Sequence, residues 1–198
     1  MPNIKSREQL LNGFPAEIRE SVAKNMQNVW NMNKKWPRYN AINCWHMNEH
    51  ESAAMWKLYL KSNEGVAVQS RYKALRDSII YDQPFYMGLV RYIDYENDVI
   101  PDGNILSPFI HKRRSFEHER EVRILIAKWP IGDNGIDTEL ETIDFGIRVR
   151  TDLRSLIENV YVAPGSPSWF VDLVRAVIIK YGYKFEVIHS KMDDKALF

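Results

Sequence analysis

The sequence predicts an α+β fold: a single domain in which a mixed sheet of about five to seven strands packs with several helices. Three observations carry that prediction. Apolar side chains recur at helical spacing over residues 15–31 and again after Ser166-Pro167. Between them lie short runs of strand length and composition, such as Tyr39 to His46, Phe85 to Tyr95 and Val160-Tyr161-Val162. No internal repeat or low-complexity segment interrupts them.

In chain order, Ile18, Val22, Met26, Val29 and Trp30 give an amphipathic helix opened by Pro15 and broken by Lys34-Lys35-Trp36-Pro37. A strand from Tyr39 to His46 follows. Asn48 and Glu51 have capping-box spacing, so the next helix is expected to start at Asn48 and run to about Lys61, with Ala53, Trp56, Tyr59 and Leu60 on neighbouring faces. Asn63-Glu64-Gly65 ends it; Val66 to Ser70 is a short strand, and Tyr72 to Ile79 a helix. Phe85 to Tyr95 is one longer strand, 96–108 a loop rich in Asn, Asp, Pro and Gly, and the region near 120–128 a strand. Residues 132–144 are an acidic, exposed connection. Gly146 to Arg150 alternates Ile147 and Val149 with Arg148 and Arg150, a half-buried strand pattern.

A short helix at 152–157 leads to the strand Val160-Tyr161-Val162. Ser166 caps a helix with Pro167 at its first position. Phe170, Leu173, Val174, Val177, Ile178 and Tyr181 form its stripe, and Gly182 closes it. Phe185 to Ser190 is the last strand. The expected organisation is an N-terminal helical segment, 1–38, an α+β core domain, 39–190, and a tail, 191–198.

Composition narrows the function classes. The chain of 198 residues is 45% hydrophobic and 27% charged, as in soluble globular proteins. Its 27 Lys and Arg against 26 Asp and Glu leave no global field for nonspecific nucleic-acid binding, so any basic patch is local. The single cysteine, Cys44, excludes an internal disulfide framework and a cysteine-based zinc finger, and reads as a buried thiol in a strand among Ile42, Trp45 and Met47. No apolar run approaches the roughly 18 residues of a membrane span, and the N-terminus has no signal-like core. These features predict a reducing cytoplasm and no membrane partner.

The most informative stretch is Lys112 through Arg123, in which His111-Lys112-Arg113-Arg114 precedes Phe116, Glu117, Glu119, Glu121 and Arg123. Strand alternation would put Glu119, Glu121 and Arg123 on the face away from the core. One reading is a site for an anionic, polar ligand, with carboxylates that bond a ribose or orient a nucleophile and cations that neutralise phosphate. The other is a solvated strand face on which Glu119 and Glu121 pair with Arg148 and Arg150, worth about 0–1 kcal/mol per pair. Trp56 and Tyr59, three apart on one helix, suit either a core face or a stacking platform. The strand–helix junction at Ser70 and Arg71 offers backbone N–H groups and a guanidinium for a phosphate or carboxylate, or is a plain turn. His46-Met47-Asn48-Glu49-His50 spells H-x-x-E-H, but a helix beginning at Asn48 spoils the shared histidine face, and no metal site is expected.

Three segments together carry a resemblance: Glu51 through Tyr59 with Gly65-Val66-Ala67-Val68, Lys112 through Arg123, and Val160-Tyr161-Val162-Ala163-Pro164. They resemble a widespread family of bacterial and phage-borne domains of unknown function, with an M-W-x-x-Y helix, a G-[VI]-[AC]-[VI] strand and a K-x-x-x-F/W-x-x-E-x-E-x-R strand. The resemblance covers roughly residues 40–190. Members often begin with an aromatic-rich strand and a D-P-x-E-like element that has no counterpart here, so a truncated or divergent form is expected. That opening segment is loosely similar to ADP-ribosyltransferase-like toxins, and Glu119-Arg120-Glu121 has the E-x-E form of some transferases.

The leading expectation is therefore a nucleotide-handling, ADP-ribosyltransferase-like enzyme in bacterial or phage conflict, with NAD as the candidate cofactor. Glu119 and Glu121 would be catalytic. Arg71, Lys112 and Arg113 would hold phosphates, Trp56 or Tyr59 would stack on a base, and Ser70 and Arg123 would complete the ligand site. The alternatives are a nucleic-acid-binding or nuclease module using the local basic run, and a non-enzymatic protein-interaction domain.

Overall fold

The computed structural model describes residues 12–101, 104–132, 135–137 and 140–192. Residues 1–11 of the expected N-terminal segment and 193–198 of the expected tail lie outside the described residues, as do 133, 134, 138 and 139 of the expected acidic connection. The architecture is α+β, with helices and short strands in several small sheets. The single sheet of five to seven strands expected from the sequence is instead distributed over two- and three-stranded sheets. Most strands run only two to four residues, too short to build one wide sheet.

The chain divides into two compact units. One comprises the described residues up to Ile42 with Leu125–Ile147, the other Asn43–Ile124 with the described residues from Arg148 onward. In the first, a 20-residue helix, α1 (Ala16–Lys35), has Glu17 in its first turn and Lys34 and Lys35 in its last, complementing the helix dipole. Pro37 enforces a 3₁₀ turn at Trp36–Tyr39, whose two aromatic side chains are buried. Trp36 packs against Trp129 with ring centroids 5.2 Å apart, and Lys128 N–H donates to the Tyr39 carbonyl at 2.8 Å.

The second unit carries the candidate sites. Residues 43–46 of β1 (Asn40–His46) belong to it. They are followed by α2 (Ala53–Tyr59), β2 (Val66–Gln69), α3 (Tyr72–Asp77), β3 (Ile79–Ile80), β4 (Tyr86–Leu89), β5 (Arg91–Ile93) and β6 (His111–Arg113). Next comes β7 (Glu121–Ala127), of which residues 121–124 belong to this unit and lie between those of β1 and β4. β5 and β6 pair in parallel with Tyr92 opposite Lys112. β8 (Ile131–Gly132) and β9 (Gly135–Ile136) pair within the first unit, and β10 (Arg150–Thr151) pairs with β3. In a further sheet β11 (Asn159–Val162) has β2 antiparallel on one side and β12 (Glu186–His189) parallel on the other. Leu75, Ile124 and Leu156 form the apolar centre, with Trp45, Ile79, Phe85, Met87 and Ile157 packed around them.

Several elements depart from the sequence reading for identifiable reasons. The helix expected from Asn48 begins at Ala53, because Ser52 is the residue that caps it, its Oγ accepting from Met55 N–H. Asn48 Oδ1 is engaged instead by the Arg120 guanidinium. The single strand expected over Phe85–Tyr95 is split at Val90, which bonds the Glu121 carbonyl while Arg91 N–H turns to Ile110. The strand expected over Gly146–Arg150 is confined to Arg150–Thr151, paired with β3. Ser166 does not cap the helix Ser168–Lys180; it is buried and its hydroxyl donates to the Asn63 carbonyl at 2.5 Å. That helix buries Val171 but leaves Leu173, Val177 and Tyr181 exposed, so the expected stripe only partly faces inward.

Candidate ligand cleft and ion cluster

The K-x-x-x-F-x-x-E-x-E-x-R stretch folds onto itself. Lys112 leaves the last strand of the β5–β6 pair, residues 114–119 make a 3₁₀ turn, and β7 begins at Glu121. Arg120 joins turn to strand in the left-handed region, φ 40° and ψ 59°. A non-glycine residue there costs about 1–2 kcal/mol. The kink brings two carboxylates from different backbone contexts onto one ammonium. Lys112 Nζ is 2.5 Å from Glu119 Oε2 and 2.7 Å from Glu121 Oε1, and lies 4.6 Å from the centre of the Phe116 ring. Arg123 Nε meets the other Glu121 oxygen at 2.7 Å and its Nη1 donates to the Phe109 carbonyl at 2.6 Å.

Glu119 and Glu121 are buried, so they do not stand on the solvent face that simple strand alternation predicts. The left-handed Arg120 breaks that alternation, since Glu119 ends the 3₁₀ turn and only Glu121 belongs to the strand. Pairing with Arg148 and Arg150 does not occur either: those two flank β3 with Ile79, Ile80, Tyr81 and Asp82. Two cations and two carboxylates make the cluster formally neutral, which suits a buried setting where a lone charge would be expensive.

The protonation states follow from these contacts. Burial pushes the Glu121 carboxyl upward, but the hydrogen bonds from Arg123 and Lys112 prevail and hold it well below the usual carboxylate range. Burial opposes the charge on Lys112, and its bonds to Glu119 and Glu121 outweigh that and raise it. Arg123 is raised in the same way, burial being overcome by Glu121. Burial, then the adjacent Glu121, push the Cys44 thiol upward, with Arg123 opposing. Tyr92 is raised first by burial and then by the Glu121 charge; its hydroxyl accepts the Glu121 N–H at 2.8 Å.

A separate cleft of about 640 Å³ is lined by α2, β2 and the end of β1. It brings together Trp56, Tyr59 and Ser70, three of the residues singled out from sequence, and adds Trp45, His46, Glu49, Glu51, Gln69 and Tyr161, which sequence reasoning had not assigned to a ligand. Glu51 Oε2 accepts from the Trp56 indole N–H at 3.1 Å, fixing the ring. Gln69 Oε1 accepts from Asn159 at 2.7 Å, which orients its amide nitrogen. The G-V-A-V glycine is used for close approach, since a Cβ at Gly65 would run into the Leu60 side chain of the cleft wall.

Of the other predicted site residues, Lys112, Glu119, Glu121 and Arg123 form the cluster and do not line the cleft. Arg71 is exposed and paired with Glu158 at 2.8 Å, and Arg113 lies 4.9 Å over the Tyr95 ring. His46 joins cluster to cleft: it lines the cleft, its Nδ1 donates to the Glu119 carbonyl at 2.6 Å, and its buried Nε2 has no partner among the described residues. The bond from His46 to the Glu119 carbonyl was invisible in the sequence, although the H-x-x-E-H spelling begins at that histidine. Among the described residues no three His, Cys, Asp or Glu side chains converge as metal ligands, because His46 precedes α2 and His50 lies outside it. No described helix is long and apolar enough to cross a membrane. No family model, curated protein or solved structure matches the chain.

Proposed function

We propose that the protein is a nucleotide-handling domain whose recognition end is the cleft, which takes a planar heterocyclic base between α2 and β2. The observation that carries this reading is that Trp56 and Tyr59, one helical turn apart, share a cavity of ligand size with the Gln69 amide and Ser70. Aromatic faces supply stacking worth about 1–3 kcal/mol per base, and the amide supplies directional hydrogen bonding. The segments that carry the family resemblance contribute the two walls and Tyr161, and the remaining one builds the ion cluster that backs His46.

No Lys or Arg among the described residues lines the cleft, so the reading places the ring of a ligand in it and any phosphates outside. Phosphate-led binding to nucleic acid is less well supported, because the basic run is spent internally: Lys112 on two carboxylates, Arg113 on Tyr95 and Arg114 on Asp98. A transferase role for Glu121 would need Lys112 and Arg123 to release it, since both its oxygens are engaged.

A thermal-shift panel of the four nucleosides, their monophosphates and NAD tests the reading. At least one base should raise the melting temperature of the wild type and leave Trp56→Ala unmoved. A rise that tracks phosphate number and ignores the base would overturn it.

A further inference from the structure

We infer that the ring bound in the cleft is a cation, an N-alkylated heteroaromatic of the pyridinium or methylated-purine type. This rests on the base-binding reading above and names the ligand class. The charged side chains of the cleft wall are Glu49 and Glu51, and neither is in an ion pair among the described residues. The carboxylates Glu119, Glu121, Glu158 and Asp98 of the same unit are each matched by a lysine or arginine. The two guanidiniums next to cleft residues are engaged elsewhere, Arg120 with Asn48 Oδ1 at 3.3 Å and Arg71 with Glu158 at 2.8 Å.

Three further features point the same way. Trp45, Trp56, Tyr59 and Tyr161 put aromatic rings around the cavity, and a cation over such a face gains about 0.5–2 kcal/mol. The Trp56 indole N–H fixes one Glu51 oxygen beside the ring, and the other has no hydrogen-bond partner among the described residues. The Nε2 of His46 has no partner among the described residues, and in the neutral ring, whose proton Nδ1 gives to the Glu119 carbonyl, it is the acceptor. The cleft also holds donors, the amide nitrogens of Gln69 and Asn48, so the cation preference is carried by Glu49, Glu51 and the aromatic faces.

The decisive experiment is calorimetric titration of matched pairs: 1-methylnicotinamide against nicotinamide, and the 1-methyladenosine cation against adenosine. The cation of at least one pair should bind the wild type at least about tenfold more tightly. Glu49→Gln/Glu51→Gln should erase that preference while keeping the neutral ligand's affinity, because a glutamine at 51 still accepts from Trp56. An unchanged melting temperature confirms that this variant folds. Equal affinity within both pairs, or a preference that survives the double substitution, would overturn the inference and leave base binding standing. If no member of either pair binds, this inference falls, and the nucleoside panel above decides base binding separately.

Discussion

His46 Nδ1 donates to the backbone carbonyl of Glu119 at 2.6 Å, tying the end of β1 to the turn that carries the ion cluster. The bond fixes the imidazole tautomer and makes the cleft wall depend on the position of Glu119. Cluster and cleft are therefore mechanically linked, although the charges of one do not line the other.

The cluster should behave as structural framework. Lys112→Ala would leave two buried carboxylates facing a single guanidinium, and breaking a buried pair from one side costs about 3–5 kcal/mol. Urea denaturation measures this. A loss below about 1 kcal/mol would mean that water already screens the pair.

Acid should unfold the protein partly through Glu121. Its folded-state carboxyl is held below the ordinary value of 4.5, so its stabilisation is complete above that value and is lost as pH falls beneath it. Melting temperature against pH should therefore drop below pH 4.5 more steeply in the wild type than in Glu121→Gln. Parallel curves for the two proteins would contradict the assignment.

Cys44 is exposed, not buried as its apolar neighbours predict, and partial desolvation together with the neighbouring Glu121 shifts its thiol upward. Alkylation by iodoacetamide at pH 8 should run slower than that of a free thiol and accelerate in Glu121→Gln. Unchanged rates between wild type and variant would rule out the carboxylate as the cause.

Arg120 tests the kink. Arg120→Gly removes a left-handed strain of about 1–2 kcal/mol while adding about 0.5–1 kcal/mol of unfolded-state entropy, so stability should change little. Arg120→Val places a branched side chain in the same conformation and should destabilise by clearly more. If valine were tolerated as well as glycine, the turn would have other ways to close.

Much of the secondary structure was legible because it follows local rules: the Ala16–Lys35 helix from its apolar spacing, the Gly182 end from a positive φ of 75°, and β11 from its β-branched run. The candidate site was legible only by composition. Lys112, Phe116, Glu119, Glu121 and Arg123 meet as the motif's letters suggest, but their burial depends on one left-handed arginine, which no periodicity announces. Asn48 looked like a cap because its spacing to Glu51 was right. Two tertiary partners decided otherwise: Arg120 took Asn48 and the Trp56 indole took Glu51. The width of the sheet was misjudged because strand length depends on long-range pairing, which a single sequence does not reveal.

The most direct test of ring binding in the cleft follows the Trp56 indole N–H resonance by NMR, assigned with Trp56→Phe, during titration with nucleosides. Saturable displacement of that resonance by at least one base, with Lys112 and Arg123 side-chain signals unmoved, is the predicted result. A ligand that binds while leaving the Trp56 indole in place, or that instead shifts the Lys112 and Arg123 signals, would contradict the account.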